Sequence, residues 1–168
     1  MPSPYAGAVV SQPGPLCPEC GGREGPLGDC TAVFEAQQLR ELEQPTMYAW
    51  HAVSVSAYLL QHPSTASDRH RDAQFRILQL YHDRGMDALQ GFVRHQRARN
   101  NHRSTRGYDV EPLAPYLALP SRPAPTAFDS TIQDLPASDQ SFLGDGVDEY
   151  ARRIDGMIDA TIRAWLQG

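Results

Sequence analysis

The sequence predicts an all-α protein, a helical bundle of about five helices with an N-terminal zinc-knuckle-like loop. Three observations predict it. Apolar residues recur at steps of three and four in several segments, most cleanly at Val147, Ala151, Ile154, Ile158, Ile162 and Trp165. No segment alternates polar and apolar residues at the period of two that a half-buried strand requires. All three cysteines, Cys17, Cys20 and Cys30, fall in one glycine-rich stretch just ahead of the first helical pattern.

In chain order, residues 1–16 are rich in proline, glycine and serine and read as a flexible arm. Residues 17–168 then form one helical domain, opened by a metal knuckle over 17–30. Asp29 is placed to cap a first helix from about Cys30 to Glu43, with Val33, Ala36, Leu39 and Leu42 or Glu43 repeating at three to four residues. Pro45 stops it, and Thr46 caps a second helix, Met47 to Gln61, apolar nearly all round and so expected at the centre of the bundle. Pro63 ends that helix, because a residue preceding proline is pushed out of the α region. Ser67 caps a third helix to about His82, with Ala73, Ile77, Leu78 and Tyr81 inward and Gly85 as its stop. Asp87 opens a fourth, with Leu89, Phe92 and Val93 inward, which frays around Arg97–Asn101. Residues 107–126 carry Pro112, Pro115, Pro120, Pro123 and Pro125, and form a connector along the surface anchored by Leu113, Tyr116, Leu117 and Leu119. The last helix runs from about Gly146 to Leu166.

Composition limits the function. With 168 residues the chain supports one real core, and 40% hydrophobic and 21% charged residues are ordinary for a soluble globular protein. A net charge of -5 speaks against a dedicated nucleic-acid binder. All 15 basic residues are arginine, which excludes Schiff-base or other lysine chemistry. The N-terminus lacks the basic and apolar regions of a signal peptide, and Met47–Leu60 is too short to span a membrane, so a cytoplasmic location is expected. In a reducing compartment an odd cysteine count with a C-x-x-C pair points to a metal before disulfides.

The knuckle reads Cys17-Pro18-Glu19-Cys20-Gly21. Proline sets one angle of the tight turn, and glycine after the second cysteine permits positive φ where the chain bends beneath an ion. A thioredoxin-like pair would open a helix, which Gly21-Gly22 and Gly25-Pro26 would break. Zn2+ is therefore the expected cofactor, and a tetrahedral site needs a fourth donor beside Cys17, Cys20 and Cys30. His51 and His62 share one face of the second helix, but eleven residues at about 1.5 Å each put them roughly 16 Å apart. If the first two helices form a hairpin about Pro45, Cys30 lies level with residue 60 and His51 level with residue 39. His62 is then the fourth ligand and His51 the alternative. Tyr58 and Gln61, on the same end of the helix, are expected to orient the ligand by hydrogen bonds.

The stretch that carries these residues resembles an uncharacterised bacterial family, a domain of unknown function. Its marks are C-P-x-C-G, a later cysteine ahead of a phenylalanine, and H-x6-Y-x-L-Q-H-P. Here they are Cys17–Gly21, Cys30 with Phe34, and His51 through Tyr58 and Leu60-Gln61-His62-Pro63. The likeness covers about residues 17–63 closely and the tryptophan-bearing last helix more weakly. It implies an all-helical, metal-bearing protein and brings no catalytic residues.

His51, beside Trp50, is expected to be a core histidine hydrogen-bonded to a neighbour, with Glu35 and Glu43 as partners within reach. Such a buried pair would be the seed of any acid–base chemistry. His70, His82, His95 and His102 have no ligand spacing, and Asp145–Glu149 fit a helix N-terminus better than a calcium loop. The run Arg94–Arg106 is the one basic patch, and the acidic tail from Phe128 is a ready intramolecular counterpart. The leading expectation is thus a small zinc-binding helical protein with a closed, structural site that serves binding or assembly, its partner a protein or small molecule. The alternative is a metalloenzyme with an open zinc position and His51 or Glu35 as base. A nucleic-acid or acidic-partner adaptor acting through Arg94–Arg106 ranks third.

Overall fold

The computed structural model describes residues 14–101, 103, 113 and 115–167. Most of the expected arm, the far end of the basic run and residues 107–112 and 114 of the proline-rich connector lie outside the described residues.

The architecture is all-α, with α1 Cys30–Glu43, α2 Pro45–Tyr48, α3 His51–Gln61, α4 Asp68–Asn100 and α5 Val147–Gln167. Single 3-10 turns occupy Pro63–Thr65 and Ile132–Asp134. Among the described residues there is no strand, only the isolated bridges Leu16–Arg23 and Gly25–Gly28 within the knuckle. Local chemistry explains the boundaries. Asp29 accepts from the Ala32 N–H at 2.8 Å and caps α1. Gln44, before Pro45, is extended and ends it. Ser67 caps α4 through the His70 N–H. Gly85, at φ 76° and ψ -172°, breaks α4 into two arms, a conformation that costs a side chain with a Cβ.

α3 lies at the centre, with Val53, Ala57 and Leu60 fully buried against Phe75 and Leu78 of α4 and Ile154, Ile158 and Trp165 of α5. The Trp165 indole N–H donates to the Leu60 carbonyl at 3.2 Å, so the largest buried side chain carries its own polar partner. At that end Arg122 donates to the Ala164 carbonyl at 3.0 Å and also reaches the Trp165 carbonyl.

Four expectations are corrected. The second helix does not run unbroken from Met47: Gln44, not Thr46, is the cap residue, Pro45 takes the first helical position, and a turn at Ala49–Trp50 separates α2 from α3. On α1 the inward face is Cys30, Val33, Gln37 and Glu41, while Leu39 and Leu42 are 57% and 69% exposed. A buried polar network around Glu41 claims that side of the helix. In the described part of the connector Leu119 packs against the core as expected, but Leu117 is exposed and polar hooks from α4 hold the backbone around it. Gln79 exchanges two hydrogen bonds with the Leu117 backbone, Arg76 donates to the Tyr116 carbonyl at 2.6 Å, and Asp72 accepts from the Leu119 N–H at 2.7 Å. Three acids of the tail, finally, serve its own arginines, Asp145 with Arg153, Glu149 with Arg152 and Asp129 with Arg163, while Asp155 accepts from the Tyr81 hydroxyl of α4. No described tail acid pairs with Arg94 or Arg97.

Candidate metal centre

The knuckle is a tight backbone loop. Cys17 N–H donates to the Gly22 carbonyl at 2.8 Å and Gly21 N–H to the Cys17 carbonyl at 2.9 Å, while Gly21 takes φ 74°. The Gly22 N–H points at Cys20 Sγ, 3.3 Å away. A Cβ at Gly22 would meet Thr131 Oγ1 at 2.6 Å and Cys20 Sγ at 3.2 Å, so glycine is a packing requirement there.

Cys30 opens α1 and His62 caps α3, and the α1–α3 pairing brings both onto the knuckle. The donor atoms of Cys17, Cys20, Cys30 and His62 all lie within 4.8 Å of one another. Cys20 and Cys30 Sγ are 3.6 Å apart. A tetrahedral ion with metal–sulfur bonds of about 2.3 Å would separate two of its sulfurs by about 3.8 Å. Cys20, Cys30 and His62 are buried and Cys17 is half-buried.

His62 is oriented as a ligand would be. Its Nδ1 lies 2.9 Å from the Tyr58 carbonyl, which makes Nδ1 the donor and leaves Nε2 with a lone pair. Nε2 is buried and has no hydrogen-bond partner. The ring is held by stacking, Tyr58 on His62 at 4.2 Å and Phe34 on Tyr58 at 3.9 Å. Burial pushes the Tyr58 phenol up, so it stays a neutral hydroxyl, 3.4 Å from Thr31 Oγ1. Without an ion, the hydrogen bond from Cys20 holds the Cys30 thiol down at about 4, against burial and with help from the facing His62 imidazole. The same bond, followed by burial, pushes Cys20 up. The residues present therefore fit a metal ion: three sulfurs, one correctly oriented imidazole and an otherwise orphaned buried nitrogen.

The chain belongs to a family of unknown function, DUF5946. The family model matches residues 16–166, nearly the whole described structure and with it the entire Cys3His group. Searches of curated proteins and of solved structures each found no match. The resemblance read from residues 17–63 thus extends through the bundle to α5.

Other residues of the site were placed differently from expectation. His51 is not at the cysteines: its Nδ1 lies 2.9 Å from Glu41 Oε2. Glu35 faces solvent and Glu43 pairs with exposed Arg40 at 2.9 Å, so neither serves His51. Gln61 does not touch the His62 ring. It donates to the Ser130 carbonyl at 2.8 Å and Thr161 Oγ1 at 2.9 Å, pinning the helix that ends in His62 onto α5.

Two supports of the site escaped the sequence reading. Gln133, in the Ile132–Asp134 turn, donates to the Gly28 carbonyl at 3.0 Å and points at Cys30 Sγ at 3.8 Å. Glu19, inside the knuckle, accepts from the Ser64 N–H at 3.0 Å and Ser64 hydroxyl at 2.8 Å, tying the loop to the turn after His62. No spacing rule signals either, since both contacts join segments distant in sequence. The described residues contain no helix long and apolar enough to cross a membrane.

Proposed function

We propose that Cys17, Cys20, Cys30 and His62 bind one Zn2+ ion and that the ion is structural. It fastens the N-terminal knuckle to the bundle, and the assembled surface serves binding or assembly with a protein or small-molecule partner in the cytoplasm. The observation that carries this reading is the buried, unpartnered Nε2 of His62 facing three sulfurs. An apolar-walled site leaves such a nitrogen uncompensated at a cost of about 1–3 kcal/mol unless something ligates it. Three thiolates and one imidazole favour zinc over the harder cations, and four protein donors complete a tetrahedron. The three unpaired cysteines support a reducing compartment.

Cobalt substitution tests the closed site. A four-coordinate thiolate spectrum that azide and cyanide leave unchanged is expected. A spectrum that shifts with either anion would indicate an exchangeable position and the metalloenzyme alternative.

A further inference from the structure

A second constellation lies at the other end of α3. Glu41 is fully buried, and its Oε1 accepts from Gln37 at 2.9 Å, Ser54 at 3.0 Å and Tyr150 at 3.0 Å. Its Oε2 engages His51 Nδ1 at 2.9 Å. A carboxyl group held by this many donors is rigid, and it fixes the imidazole with Nδ1 as donor. The His51 side chain is 34% exposed and stacks on Tyr48, ring centroids 5.2 Å apart.

His51 lines a cleft of about 230 Å³ between the start of α3 and the second arm of α4. Ala52, Leu89 and Val93 give it an apolar floor, and Arg94 and Arg97 stand at its rim. Tyr48 and Val93, 47% and 40% exposed, are among the large apolar side chains the described surface leaves open. The cleft joins an apolar wall the size of one ring to a cationic rim that no described tail acid neutralises. Engineered cavities of about 150 Å³ take up benzene, so one ring with a short acidic arm fits.

We propose that this cleft binds a small amphiphilic carboxylate, an aryl or short alkyl acid. Its apolar body lies on Leu89 and Val93, and its carboxylate accepts hydrogen bonds from Arg94 and Arg97, close enough to the His51 ring for that ring to report its arrival. Glu41 acts as a positioning residue behind His51. The site is separate from the Cys3His group and does not depend on its metal.

The test uses the full chain as purified, labelled with 15N at histidine, and titrates it with sodium phenylacetate at constant ionic strength. A saturable shift of the His51 ring nitrogens is expected, with the neutral analogue phenylacetamide binding more weakly. The exposed double variant Arg94→Gln/Arg97→Gln should lose about tenfold or more in affinity, as charge-assisted hydrogen bonds are removed. Arg99→Gln, on the same basic run but outside the cleft, should bind as wild type. His51 signals that stay still or drift without saturating would overturn the proposal. So would equal affinity in the double variant, or an equal loss in Arg99→Gln.

Discussion

Replacing Glu41 tests the buried network most sharply. In Glu41→Ala, the Tyr150 hydroxyl and one Gln37 amide hydrogen lose their acceptor in a site closed to water, whereas Ser54 keeps the His51 carbonyl at 3.1 Å. Each orphaned buried donor costs about 1–3 kcal/mol, and the vacated volume adds to it, so a loss of about 4 kcal/mol is expected. Glu41→Gln preserves the shape and one acceptor oxygen for Gln37, Ser54 and Tyr150. It inverts the contacts of the second oxygen, to half-exposed His51 and to the Gln38 amide at 3.3 Å, for about 1 kcal/mol. Urea unfolding of metal-saturated protein measures both against Glu35→Gln, which is exposed and should stay within about 0.5 kcal/mol. A Glu41→Ala loss below about 1 kcal/mol, or equal losses for alanine and glutamine, would refute the accounting.

Further predictions concern the knuckle and the connector. Tyr58→Leu removes the ring stacked on His62 and should weaken metal binding by about 10- to 100-fold in a chelator competition, with the helical content unchanged. Gly22→Ala drives a methyl into Thr131 and Cys20, and should lower both the melting temperature and metal occupancy, while Gly25→Ala, with room around its Cβ, lowers neither through a clash. Asp72 is held below the ordinary carboxylate value first by the Leu119 N–H and then by Arg76. A depressed carboxyl stabilises the fold above its unfolded value, and the contribution disappears as pH falls through the lowered one. Asp72→Asn should therefore cost about 0.5–1 kcal/mol near neutrality and nothing in strong acid, as read from denaturation across pH; a difference that persists in acid would contradict the assignment.

Much of this architecture was legible because its signals are local. The caps Asp29 and Ser67, the breaks at Pro45 and Gly85, and the repeat on α5 each act within a few residues. The grouping of the three cysteines with His62 was legible for a different reason: a hairpin about Pro45 levels Cys30 with the end of α3 and separates His51, so register distinguishes the two histidines. The same register put His51 beside residue 39 and found it two residues away, at Glu41. What failed were inferences from apolarity where polar contacts decide. Leu39 and Leu42 look like core, yet Glu41 and Gln37 take the inward face because Tyr150, distant in sequence, completes their hydrogen bonds. Gln133 and Glu19 were equally invisible, as their partners lie on other segments. On α5, Tyr150 and Met157 extend the buried stripe that Val147 and Ala151 only border.

Metal stoichiometry by mass spectrometry of wild type, His62→Ala and His51→Ala tests the central claim most directly. One zinc per chain is expected in wild type and in His51→Ala, with occupancy lost or severely reduced in His62→Ala. Wild-type protein that takes up no zinc, or a His62→Ala variant that keeps it while His51→Ala does not, would contradict the account.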